Sequence, residues 1–159
     1  MEHQAAIIEI AVQQAGFDTA AIQQQITANR SDIGAIVSFT GLVRDFNEKP
    51  DVLSLTLEHY PGMTEKALLN IAESACQRWS IQALTIVHRV GCLRPADPIV
   101  LVMVASAHRQ DAFDACAFVM DYLKTEAPFW KKENTQHGNY WVSARASDQQ
   151  ARTRWEHSK

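Results

Sequence analysis

One stretch limits the fold more than any other. Ile99 to Ala105 (IVLVMVA) is an apolar run rich in β-branched residues, preceded by the breaker Arg94-Pro95-Ala96-Asp97-Pro98. Bounded in this way, it predicts a strand buried on both faces. Ser106 ends the run, and from about Gln110 the apolar positions Phe113, Cys116, Ala117, Met120 and Leu123 follow helical spacing. Asp111 and Asp114 near the start of this helix complement the positive end of its dipole, and Pro128 stops it.

That strand-helix unit decides where several polar residues sit. His108 and Arg109 fall where the strand feeds the helix, so backbone N–H groups, an imidazole and a guanidinium are placed to meet one anion, preferably a phosphate. A solvated His-Arg pair at a helix start accounts for the same residues equally well. Lys124 lies at the other end of the helix, and Lys131 and Lys132 follow a turn containing Pro128, Phe129 and Trp130. Lysines in a last turn are ordinary partners of the helix dipole, and charge clusters are usually solvated. Held beside aromatic rings and other cations, however, an ammonium is disfavoured by desolvation and by like charge. The resulting amine can attack an electrophile or take a proton. These residues alone leave both alternatives open.

With 159 residues and a net charge of -3, the chain has the size and composition of one α+β domain spanning residues 1–159. Its charge gives no general affinity for nucleic acid or membrane, so any basic patch is local and suited to a small anionic ligand. Cys76, Cys92 and Cys116 are odd in number, widely spaced and without a C-x-x-C pair, which argues for reduced thiols. Cys116 falls among core-facing positions, and Cys92 follows Gly91 with no evident base nearby. The N-terminus has neither a basic leader nor a long apolar core, and no window approaches a membrane span, so a cytoplasmic protein is expected.

Along the chain, Ala5 to Val12 is a first strand, Asp18 caps a short helix to about Ile26, and Gly34 to Gly41 is a second strand. Val52 to His59 alternates, with Leu53, Leu55 and Leu57 on one face, and is expected to form a hairpin with the second strand. Met63, Ala67, Leu68, Ile71, Ala75 and Trp79 mark an amphipathic helix, and Ala83 to Val90 is a strand that turns at Gly91 towards the central one. Asn134 to Asn139 is expected as a loop, Tyr140 to Val142 as a short edge strand, and Ser147-Asp148 as the cap of a last helix reaching Trp155. The sheet is expected to be mainly antiparallel with helices packed on it. His59, His88 and His108 match no metal-ligand spacing, so hydrogen-bonded or solvated histidines are expected, with no metal and no cofactor.

The segments GAIVSFTGLVRDFN (Gly34 to Asn47), LEHYPGMTEK (Leu57 to Lys66), His88-Arg89-Val90-Gly91, SAHR (Ser106 to Arg109) and MDYLKTEAPFWKKE (Met120 to Glu133) together resemble the large, catalytic subunit family of molybdopterin synthase. The resemblance runs in order from about Ile33 to the SDQQARTRW segment near the C-terminus, leaving only the first thirty or so residues outside it. It implies an α/β hammerhead fold with an added small sheet. It also implies a sulfurtransferase that inserts sulfur into cyclic pyranopterin monophosphate to make the dithiolene of molybdopterin, in molybdenum cofactor biosynthesis. The implied partner is a small ubiquitin-like subunit whose C-terminal Gly-Gly tail ends in a thiocarboxylate. The implied assembly is a homodimer of large subunits at the centre of a heterotetramer.

Carried over motif by motif, the resemblance makes Lys124 and Lys131 the catalytic pair, and Arg44, His108 and Arg109 substrate-binding residues. Leu42 and Val43 on the same loop, and Lys132 and Glu133, which extend the lysine segment, are implied to bind substrate with them, as are Lys124 and Lys131 themselves. Leu42 departs from relatives that carry a basic residue there, which leaves only backbone contact from that position. Arg145 is implied at a substrate site, that of a neighbouring subunit included. The main rival is a catalytically silent dimeric scaffold that binds a ubiquitin-like tail, and the intact lysine motif speaks against it. A second rival, an enzyme using a lysine Schiff base on another phosphorylated small molecule, shares the same residues.

Overall fold

The run beginning at Ile99 forms a strand over Pro98–Ser106, in which every residue from Val100 to Ser106 is buried. The computed structural model describes residues 4–44, 51–142 and 146–156. In chain order the elements are β1 (Ile7–Gln13), α1 (Thr19–Thr27), β2 (Ala35–Leu42), β3 (Val52–His59), α2 (Met63–Arg78), β4 (Ala83–Arg89), β5 (Gly91–Leu93), β6 (Pro98–Ser106), α3 (Arg109–Glu126), β7 (Phe129–Thr135), β8 (Gly138–Val142) and α4 (Ala146–Thr153). They build two four-stranded sheets, ordered β1-β4-β6-β2 and β5-β3-β7-β8. Only the β1/β4 pair is parallel among the described strands. The expected α+β class holds.

The first sheet explains why β6 is apolar throughout. Val100, Val102 and Val104 meet Leu68, Ile71 and Ala75 of α2 and Ala115, Phe118 and Val119 of α3. Leu101 and Met103 point the other way, towards Ile22 and Ile26 of α1. A strand covered on both sides has no face to leave polar. Each such side chain contributes about 1.5–3 kcal/mol by leaving water, which makes this sandwich the main source of stability. Asp18 caps α1 as expected, its carboxylate accepting from Ala21 N at 3.1 Å.

Three expectations are corrected. β2 and β3 do not form a hairpin: β2 pairs with β6 in the first sheet, and β3 pairs with β5 and β7 in the second. The alternation in β3 is also interrupted, because its register shifts between Val52 and Ser54. Val52 takes the buried place and Leu53 is left exposed. Finally, Asn134 to Asn139 is not a loop, since β7 continues to Thr135 and a tight turn at Gln136-His137 leads straight into β8. β7 lacks an apolar alternation because its ladder, rather than a doubly buried side-chain set, holds it in place.

The two sheets are joined at one corner. β4 of the first sheet ends at Arg89, and after Val90 the chain turns at Gly91, at φ +87, into β5 of the second. A positive φ of this kind suits glycine. No helix among the described residues is long and apolar enough to cross a membrane.

Candidate active site

α3 ends because Pro128 disfavours helical backbone in the residue before it, and Ala127 is extended. The Pro128 carbonyl accepts a hydrogen bond from Thr64 Oγ1 (3.1 Å), which in turn accepts from Tyr60 N (3.1 Å). Thr64 is fully buried at the start of α2. Phe129, the next residue, lays its ring on the imidazole of His88, with centroids 3.8 Å apart and planes inclined by 20°. Two buried anchors on different elements therefore fix the short link between Lys124, in the last turn of α3, and Lys131, in β7.

His88 is buried at this end of the molecule. It lies on the core-facing side of β4 with Leu84 and Ile86, and is 5% exposed. Burial pushes its imidazole down to about 4, opposed by the Arg89 carbonyl and reinforced by Lys124, Lys131 and His59. The ring is therefore neutral near pH 7. Its Nδ1–H donates to the Arg89 carbonyl at 2.8 Å, which makes Nε2 the nitrogen that carries the free lone pair. Phe129, stacked on this ring, is the cross-strand partner of His59 and lies two residues from Lys131 on the same face of β7. Lys124 and Lys131 are themselves solvent-exposed, and among the described residues Lys124 has no ion-pair partner. His59 faces Glu65, Nε2 to Oε1 3.8 Å.

Strand alternation sorts the lysine segment. Phe129, Lys131 and Glu133 are opposite His59, Leu57 and Leu55 on one face of the second sheet, while Trp130 and Lys132 are opposite Glu58 and Thr56 on the other. Lys132 Nζ is 3.6 Å from Glu58 Oε1 and 4.7 Å from the centroid of the Trp141 ring. The expectation that Phe129 and Trp130 together enclose a lysine is corrected: Phe129 shares the face of Lys131, and Trp130 that of Lys132. Cys116 is buried, its thiol pushed up to about 11 by burial, and it takes no part in this cluster.

Arg44 leaves the fold at the same end. Val43 N donates to the Asp97 carbonyl (2.9 Å) and Ala96 N to the Val43 carbonyl (2.7 Å), which ties the end of β2 to the turn before β6. Val43 is buried against Leu57 and Leu93, and Leu57 is the cross-strand partner of Lys131. Arg44 and Leu42 are exposed on either side of it. Arg145 lies outside the described residues.

His108 and Arg109 are elsewhere. They begin α3, next to the end of β6 that pairs with the start of β2, whereas Arg44 lies beyond the other end of that pair. Arg109 and Lys124, the first residue of α3 and one near its last, are separated by about 22 Å along the axis at 1.5 Å per residue. His108 occupies the N-cap position without a side-chain cap and is exposed, while its backbone N–H donates to Ser106 Oγ (3.3 Å). Within one chain the structure thus gathers Arg44, Lys124, Lys131 and Glu133 at one end and leaves His108 and Arg109 at the other. The expected meeting of Arg44 with the His108-Arg109 corner is not made by a single chain. His88 is hydrogen-bonded, as the sequence predicts, but its stack on Phe129 and the Thr64 anchor were not foreseen. The available signal was His88 falling in phase with Leu84 and Ile86 on a buried strand.

Comparison with known proteins identifies the family. The family model described as MoaE protein matches residues 12–126. The molybdopterin synthase catalytic subunit of Pseudomonas aeruginosa is 59% identical over 147 residues, covering 92% of this chain and 98% of that one. The corresponding subunit of Escherichia coli is 58% identical over 128 residues, covering 80% and 85%. The solved structure of a molybdopterin biosynthesis MoaE protein from Burkholderia ambifaria superposes with a TM-score of 0.82 at 50% identity, covering 96% of this chain and 100% of that one. With a family model matching residues 12–126, and a relative and a solved structure covering 92% and 96% of its length, the chain belongs to the MoaE family of molybdopterin synthase catalytic subunits.

Proposed function

We propose that this chain transfers sulfur, in the cytoplasm, from the thiocarboxylated C-terminus of a small ubiquitin-like subunit to cyclic pyranopterin monophosphate, forming the dithiolene of molybdopterin. The observation that carries this is the short link from Lys124, in the last turn of α3, to Lys131, in β7, pinned by Thr64 and by the stack of Phe129 on the buried His88, in a chain so similar to molybdopterin synthase catalytic subunits. Lys124 serves as nucleophile or base at the thiocarboxylate and the pterin carbon, and Lys131 moves protons or stabilises developing charge. Arg44 and the backbone of Leu42 and Val43 border the substrate on the same side, and Glu133 shares the face of Lys131. Lys132, paired with Glu58, supports the strand from its far face.

The positions of His108 and Arg109 support a homodimer at the centre of a heterotetramer. An anion corner about 22 Å from the lysine of its own helix serves a small substrate best when it belongs to the neighbouring copy's site. Arg145 is assigned to the substrate site on resemblance alone. The test is conversion of the precursor by the full complex with a thiocarboxylated partner, reading the oxidised fluorescent derivative of the product. Lys124→Ala and Lys131→Ala are each expected to lose about 100-fold or more in rate while remaining folded dimers. Mixing Lys124→Ala with Arg109→Ala chains should restore part of the activity through dimers holding one intact site. Wild-type rates in the lysine variants would refute the assignment, and no restoration in mixed dimers would refute the shared site.

A further inference from the structure

We propose that His88 is a positioning residue for the lysine pair, acting through its stack on Phe129 to set where Lys131 stands relative to Lys124. This rests on the reading of the two lysines given above. Lys124 belongs to a helix packed on the first sheet, and Lys131 to a strand of the second. The link between them, Thr125 to Trp130, crosses from one layer to the other. Thr64 holds it at the Pro128 carbonyl, and His88 holds it one residue later at the Phe129 ring. Phe129 and Lys131 are on the same face of β7, two residues apart, so a tilt or slide of the ring is passed directly to the lysine backbone.

The imidazole is suited to this task in a way that an aliphatic side chain is not. A flat ring at 3.8 Å and 20° fixes both the height and the inclination of Phe129. Its Nδ1–H bond to the Arg89 carbonyl sets the ring's own rotation. Arg89 is in turn anchored by its guanidinium, Nε to the Gln14 carbonyl (3.1 Å) and an Nη to the Pro98 carbonyl (3.1 Å). The chain of contacts therefore runs from the first sheet's framework through His88 and Phe129 to Lys131. Misplacing a reacting group by about 1 Å can cost about 100-fold in rate without weakening substrate binding in proportion.

The experiment compares His88→Ala, His88→Phe and Phe129→Leu in the full complex with its thiocarboxylated partner, with Lys124→Ala and Lys131→Ala beside them. Under the proposal, His88→Ala and Phe129→Leu lower kcat by about tenfold or more with KM for the precursor changed less than about threefold. His88→Phe, which keeps a ring on Phe129, restores kcat to within about threefold of wild type. Amine labelling adds a second readout: the rate at Lys131 shifts in His88→Ala and Phe129→Leu, while that of the exposed Lys66 does not. Wild-type kcat in His88→Ala, or no rescue by a folded His88→Phe, overturns the proposal. If His88→Ala fails to fold, Phe129→Leu decides alone, and an unchanged kcat there overturns it equally. Activity retained in the lysine variants would instead overturn the underlying assignment of the lysines.

Discussion

The buried His88 makes the stability of this fold depend on acidity in a defined window. In the folded chain burial, reinforced by Lys124, Lys131 and His59, holds the imidazole at about 4, against 6.5 for the unperturbed group. Between these values the unfolded chain binds the proton and the folded chain does not, so protons favour unfolding. Stability is therefore complete above pH 6.5, falls as pH is lowered towards 4, and levels off below it. At about 1.36 kcal/mol per pH unit of separation, the full loss is about 3 kcal/mol, of which about 2 kcal/mol is reached at pH 5. The perturbation is His88→Phe, which keeps the stack and removes the titration. Urea midpoints and slopes for both proteins at pH 7 and pH 5 give the difference between them, which cancels every other titrating group to first order. The wild type should lose about 2 kcal/mol more than the variant on acidification. An equal loss in both would mean that His88 titrates in the folded chain as it does in water, and the stated burial argument would fail.

Two predictions concern the backbone, one from a close approach and one from a positive φ. A Cβ on Gly34 would lie 2.3 Å from the Ala107 carbonyl oxygen, so Gly34→Ala should separate β2 from the segment that carries His108. Thermal unfolding should register a loss of about 1–3 kcal/mol, and an unshifted melting curve would refute the contact. Ala96 sits at φ +72 in the turn that donates to the Val43 carbonyl. Ala96→Gly should therefore stabilise by up to about 1 kcal/mol in urea titration, the relief of left-handed strain exceeding the added chain entropy, whereas destabilisation would show that the strain is not felt.

The first sheet was largely legible in the sequence because its signals are local. A doubly buried strand reads as an unbroken apolar run, and the stripes of α2 and α3 and the Asp18 cap are set by neighbouring residues. The second sheet was not. β7 is polar, β5 is three residues long, and their pairing with β3 joins segments far apart in the chain. A bulge at Leu53 also misreports the phase of β3. The site divides in the same way. Lys124 and Lys131 are assigned by the resemblance of their motif, and the short anchored link between them follows from the fold. The distance of His108 and Arg109 from both lysines follows only from the run of α3 along the sheet. His88 looked like an ordinary strand histidine because its partner, Phe129, is brought to it by tertiary structure alone.

Under the proposed function, the placement of Lys124 on one sheet's layer and Lys131 on the other's ties activity to partial unfolding. The first sheet holds most of the apolar core, whereas β8 is exposed along its whole length at the edge of the second. Amide exchange should accordingly be slowest in β4 and β6 and fastest in β8, with β7 between them. A chain that opens only its second sheet would keep its helices and most of its core, and a measurement of helicity would report it as folded. Under the proposed roles of the lysines it would nevertheless be inactive, because the opening carries Lys131 away from Lys124. The useful lifetime of this protein is thus the lifetime of its weaker sheet.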